Sequence, residues 1–193
     1  MIDYTRAHRF LPSAGCAAIA SFLGWWWAGG TVPLPEIVSG LTKPVQLQLI
    51  IMVALAPATV WMFSSITSDF ERVARRSLLP FDALALLTLL GPVVVSVGTM
   101  YLAGDGRHAP ALLRDALCFV GLALLCLGLA DETAALTVPV AYFMAVATFG
   151  GAAQGQSHVW AYVRADFRPG HLVLSAAILL AGAASFTVRH RRY

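Results

Sequence analysis

Long apolar runs separated by short polar stretches dominate the chain from end to end. A helix needs roughly 20 apolar residues to cross a hydrocarbon core about 30 Å thick, and six runs meet or approach that length. They cover residues 13–30, 45–66, 83–103, 111–130, 133–153 and 171–188. The second is the cleanest. Arg114 and Asp115 fall near the start of the fourth and place that end at the membrane interface. Pro57, Pro92 and Pro139 each lie inside a run. A mid-helix proline removes a hydrogen bond and kinks the helix, which neighbouring helices tolerate in a membrane. The pattern predicts an all-α integral membrane protein, a bundle of six transmembrane helices forming one domain over residues 1–193.

Three connections between the runs carry information. Residues 31–44, with Pro33, Pro35, Gly40 and Pro44, read as an irregular loop. Residues 68–80 read SDFERVARRSLLP, where Ser68 followed by Glu71 is a capping box that marks a helix start. Phe70, Val73, Ala74, Ser77 and Leu78 then share one mostly apolar face, Glu71 and Arg75 form an i,i+4 pair, and Pro80 ends the element. This is a short amphipathic helix between spans two and three. It either lies on the anionic inner leaflet with its arginines among headgroups or docks a cytoplasmic protein. In the docking reading Asp69, Phe70, Glu71, Arg72, Val73, Arg75 and Arg76 form the contact. The third connection, 154–170, mixes Val159, Trp160, Tyr162, Val163 and Phe167 with Arg164, Asp166 and Arg168. It reads as an interfacial segment, with a small extracellular lid as the alternative.

Composition agrees with the pattern: 59% of residues are hydrophobic and 12% are charged. A soluble globular chain carries about a quarter charged residues, so the surface here must be apolar, which means lipid. The basic residues give the orientation. With the N-terminus inside, Arg6, Arg9, Arg72, Arg75, Arg76, Arg189, Arg191 and Arg192 are cytoplasmic, while Lys43, Arg107, Arg114, Arg164 and Arg168 lie opposite. Both clusters fall inside only if an even number of spans separates them, and spans three to six supply four. Both termini are therefore expected in the cytoplasm of a cell whose plasma (inner) membrane holds the chain. Trp25, Trp26 and Trp27 then sit at the outer end of span one as interfacial anchors, with Trp160 in the same role on the later loop.

Candidate chemistry is sparse. No nucleotide-binding loop, H-E-x-x-H or G-x-S-x-G occurs, and Lys43 is the single lysine. Cys16, Cys118 and Cys126 lie in apolar runs without metal-ligand spacing and read as small buried hydrophobes. His8, His108, His158, His171 and His190 lie near span ends or in loops and read as solvated. The central parts of the spans lack Asp, Glu, Lys and Arg, where a charge would signal a proton or ion path. These features predict no catalytic residues, no cofactor or metal site in this chain, no nucleic-acid partner and no enzyme activity of its own. If an enzyme were hidden here, His108, His158, Asp166 and Arg164 would be its candidates. The small residues Ala14/Ala18, Gly24/Ala28, Ala177/Ala181 and Gly150-Gly151 predict close helix packing.

A basic N-terminal stub, six spans and the capped segment FSSITSDFERVARRSLLP resemble a small ABC-2-type exporter permease of high-GC bacteria. So do LLRDALCFVGLALLCLGLA in the fourth span and HVWAYVRADFRPGHLVLSAAILLAG at the last. The resemblance implies a membrane subunit that pairs with a separate cytoplasmic ATP-binding subunit and dimerises, as a homo- or heterodimer of permease chains, around a translocation route. ATP and Mg would reside on that partner. Residues 68–79 would match the family's docking element and residues 3–10 its elbow helix, which is short in this chain. The alternatives are an accessory subunit of a membrane complex and a membrane-embedded enzyme.

Overall fold

The protein, seen in a computed structural model, is described at residues 10–35, 42–64, 79–150, 159–165 and 167–192. Residues 65–78, which hold all seven docking candidates from Asp69 to Arg76, lie outside that set, as do residues 3–9 of the expected elbow. The described elements are mostly helical. In chain order they are α1 (Phe10–Trp26), β1 (Thr31–Pro35), β2 (Thr42–Gln46), α2 (Leu47–Met52), α3 (Leu55–Ser64), α4 (Leu79–Leu102), α5 (Ala109–Leu129), α6 (Glu132–Phe149), a 3-10 turn (Val159–Ala161) and α7 (Pro169–Arg192).

Among the described residues, four helices are long and apolar enough to cross a membrane: Asp82–Leu102, Ala109–Leu129, Glu132–Phe149 and Pro169–Arg189. They coincide with the third to sixth expected runs. The first two runs differ. The first is a 17-residue helix that ends at Trp26, before a turn in which Gly29 takes the left-handed φ of 84°. The second is broken, with a turn at Val53–Ala54 between α2 and α3. Pro57 explains the break: it has no N–H to give the Val53 carbonyl, and its ring crowds that carbonyl. Val53 O accepts from Ala56 N at 3.0 Å instead, and Pro57 sits in the first turn of α3, where its missing donor is harmless.

The expected irregular loop at 31–44 is instead a two-stranded antiparallel ribbon, so the fold is not purely helical. Its register pairs Thr31 with Gln46, Pro33 with Pro44 and Pro35 with Thr42. Facing prolines fit only a non-hydrogen-bonded pair, since neither can donate across the ladder. The alternation then puts Pro35 at the same kind of position and leaves Val32–Val45 and Leu34–Lys43 to carry the cross-strand bonds. Leu47 N donates to Gly30 O at 2.8 Å and closes the ribbon onto the start of α2.

Helix α5 is the centre of the bundle. Its apolar span is 67% buried, against 17% for α7 and 28% for α4, and every other long helix packs on it. The closest seam is with α7 and is made by glycines. A Cβ on Gly121 would lie 2.7 Å from Leu179 N, one on Gly128 2.6 Å from Phe186 N, and one on Gly182 3.0 Å from Leu125 N. Two backbones thus touch where only hydrogen fits. Gly24 similarly brings α1 against Met52 and Leu112. At the far end of the seam Arg189 Nη1 donates to the Leu127 and Ala130 carbonyls, satisfying the C-terminal end of α5 with a cation.

Candidate functional site: a loop clasped by an arginine

The site lies at the end of the bundle where α4 turns into α5. Gly104, at φ 86°, and the turn after it start α5 at Ala109, with Pro110 in its first turn. One and a half turns further on, Arg114 and Asp115 are both 0% exposed. They are inside the protein, covered by the segment that joins α6 to α7.

Arg114 reaches that segment by donating to three of its carbonyls. Nη1 bonds Tyr162 O at 3.2 Å and Ala165 O at 2.9 Å, and Nη2 bonds Val163 O. Nε donates to Asp115 Oδ1 at 2.8 Å. The guanidinium therefore supplies donors to backbone that no helix or strand satisfies, and Asp115 supplies the countercharge. Asp115 Oδ2 is buried and has no hydrogen-bond partner among the described residues.

Side chains from four elements meet beneath the loop. The Tyr162 phenol lies 3.0 Å from Ser175 Oγ on α7 and near the Cys118 thiol on α5. Burial and the neighbouring Cys118 push this phenol well above the usual tyrosine range, so it acts as a neutral hydrogen-bonding group. The His171 ring sits 5.7 Å from that of Tyr162, and its Nδ1 is buried and unpartnered among the described residues. Tyr142 on α6 donates to Trp160 O at 2.9 Å and packs edge-on against Phe119. Arg164 donates to Ala147 O at 3.1 Å and more weakly to Val146 O, capping α6. Gly150 lets the loop lie against that cap, since a Cβ there would sit 2.9 Å from Ala161 Cβ. Beside the loop a cleft of about 400 Å³ opens between Gln46, Arg107, His108, Ala111, Ala165 and Phe167.

The other expected sites fare variously. Trp26 and Trp27 are exposed, and Trp26 stacks on Phe22 at 6.0 Å. Trp25 is half-buried and packs on the core, with Phe22 edge-on at 5.9 Å. Trp160 is 45% exposed. Cys118 and Cys126 are buried, but Cys16 is exposed on α1. Of the enzyme candidates, His108 Nδ1 pairs with Asp105 at 2.8 Å while Arg164 caps α6, so these two are committed to different partners. His158 and Asp166 lie outside the described residues. No group of three or more His, Cys, Asp or Glu side chains among the described residues is arranged to hold a metal.

Sequence reasoning missed the clasp because its partners are 48 to 51 residues apart in the chain. The available signal was the adjacent Arg114-Asp115 inside an otherwise apolar run, a costly pair unless the protein itself surrounds it. Comparison of the chain with family models, with curated proteins and with solved structures gives no match, so the resemblance to an ABC-2-type permease rests on the residue patterns quoted above.

Proposed function

We propose that this chain is the membrane-embedded permease subunit of an ATP-driven exporter in a bacterial inner membrane. In this reading it has six spans, both termini cytoplasmic and no ATP chemistry of its own. The observation that carries the reading is the clasped loop 159–165. Irregular backbone is tolerated at membrane depth only where protein buries it or where it lines a cavity. An irregular loop tucked into one mouth of an apolar bundle is the arrangement expected of a plug. The orientation from basic residues puts this mouth on the non-cytoplasmic side, and residues 68–79 on the side where an ATPase could reach them. The Gly121–Gly182 seam closes the middle of the chain, so a route for substrate would run between two permease chains.

Purification in mild detergent with identification of bound chains tests this. An ATP-binding subunit should copurify, and Phe70→Ala should weaken its association by about 1–2 kcal/mol, the cost of losing an aromatic anchor. A preparation that assembles and functions without any ATP-binding chain would overturn it. The same tight seam favours a second reading, an accessory subunit with no substrate route. That reading predicts copurification with a larger membrane complex whose transport is unaffected by changes in the loop.

A further inference from the structure

The cleft beside the clasped loop joins side chains of opposite character. Among the described residues its lining holds a cation, Arg107, and two further polar side chains, Gln46 and His108. Against these stand the apolar Pro110, Ala111 and Phe167, and no acid belongs to the described lining. We propose that this cleft binds the phosphate group of an anionic phospholipid, with Arg107 and Gln46 on the phosphate and the apolar wall against the glycerol and first acyl carbons. The inference needs only that the long helices cross a bilayer and does not depend on an ATPase.

Four segments supply the walls, and the protein's own contacts hold them. Gln46 ends β2 and precedes α2, where its side chain makes no cap bond, so the carboxamide is not tied to that helix. Arg107 and His108 lie in the turn between α4 and α5, and His108 Nδ1 pairs with Asp105 at 2.8 Å. That contact engages the acid two residues before Arg107. Pro110 and Ala111 belong to the first turn of α5. Phe167 follows the loop that Arg114 fixes through Tyr162 O at 3.2 Å and Ala165 O at 2.9 Å. The volume of about 400 Å³ falls within the range of small-molecule sites, about 300–1,000 Å³.

Position selects the ligand. The apolar span of α4 ends at Leu102 and that of α5 begins at Ala109, so Arg107 stands just beyond two span ends, at the depth of lipid headgroups. Tyr101, 55% exposed at the end of α4, lays its ring against Gly106, where a Cβ would sit 3.5 Å from it. Amphipathic aromatic rings favour this same layer. A guanidinium matches a phosphate through paired N–H groups. A soluble anion would satisfy Arg107 but set its charge against the apolar wall, whereas a lipid ester offers that wall hydrocarbon. A choline headgroup would bring an ammonium into a described lining with no carboxylate and one aromatic ring, and a glycerol headgroup brings no cation at all.

The full chain, purified in detergent, is titrated with phosphatidylglycerol and with phosphatidylcholine of the same acyl chains, and bound lipid is counted by native mass spectrometry. Phosphatidylglycerol should bind more tightly, and equal affinities would overturn the proposal. In Arg107→Gln its affinity should fall about tenfold or more, as the loss of a hydrogen bond to a charged group predicts. Arg168→Gln removes the same charge from an exposed position outside the cleft and should bind as the parent does. An equal loss in both variants would mean general surface attraction and would overturn the site. Excess inorganic phosphate should leave the lipid in place, and its displacement would hand the cleft to a soluble anion and end the lipid assignment. If Arg107→Gln does not yield a single symmetrical peak on gel filtration, Gln46→Leu takes its place. Affinity should then fall several-fold, and an unchanged affinity would overturn the proposal equally.

Discussion

Four of the five N–H donors of Arg114 are committed, three to loop carbonyls and one to Asp115. Removing the side chain would leave those carbonyls unsatisfied and a carboxylate buried without its countercharge. Breaking a buried pair in this way costs about 3–5 kcal/mol, so Arg114→Ala should lower the unfolding midpoint in detergent sharply. Arg114→Lys should recover only part of the loss, since an ammonium cannot span the same fork of acceptors. An unchanged midpoint in both variants would show that the clasp contributes nothing to stability. Residue-level roles of this kind are poorly legible in sequence. The pair was read as marking the interfacial end of an apolar run, and the carbonyls that surround Arg114 belong to a segment about fifty positions away.

At the scale of elements, the apolar runs were legible and their interruptions were not. Helices α4 to α7 fall where the runs predict them, since length and apolarity alone decide such segments. The break between α2 and α3 depends on one carbonyl, that of Val53, and a proline was expected to kink the helix there, not to divide it. Pro57→Ala restores the missing donor. The amide of residue 57 should then become protected from hydrogen exchange as α2 and α3 merge, and an amide that exchanges freely would argue against this cause. Close packing was expected at Ala14/Ala18, Gly24/Ala28, Ala177/Ala181 and Gly150-Gly151, and Gly24 and Gly150 do lie in close contacts, but the closest approach of two helices is the Gly121, Gly128 and Gly182 seam, whose pairing needs two helices in register. Gly182→Ala should destabilise the fold by about 1–3 kcal/mol through overpacking. Gly98→Ala, with nothing within 4 Å of the new Cβ, should be neutral or stabilising by up to about 1 kcal/mol. Thermal unfolding of the two variants side by side makes the comparison, and equal midpoints would deny the seam its role.

At the scale of the whole molecule, the expectation of six spans requires both termini on one side of the membrane. Cysteines placed at Thr5 and Tyr193 should react with an impermeant reagent from the same face of sealed vesicles. Reaction from opposite faces would mean an odd number of crossings and would overturn the six-span topology. The proline-bearing ribbon has a consequence at this scale too. In a non-hydrogen-bonded pair the backbone groups of both residues point away from the partner strand, so Pro33 and Pro44 each turn a donorless nitrogen to an outer edge. A neighbouring strand approaching either edge would meet a gap at the centre of its ladder. Crowded among copies of itself, the ribbon thus offers its neighbours an interrupted edge that resists extension by β-pairing.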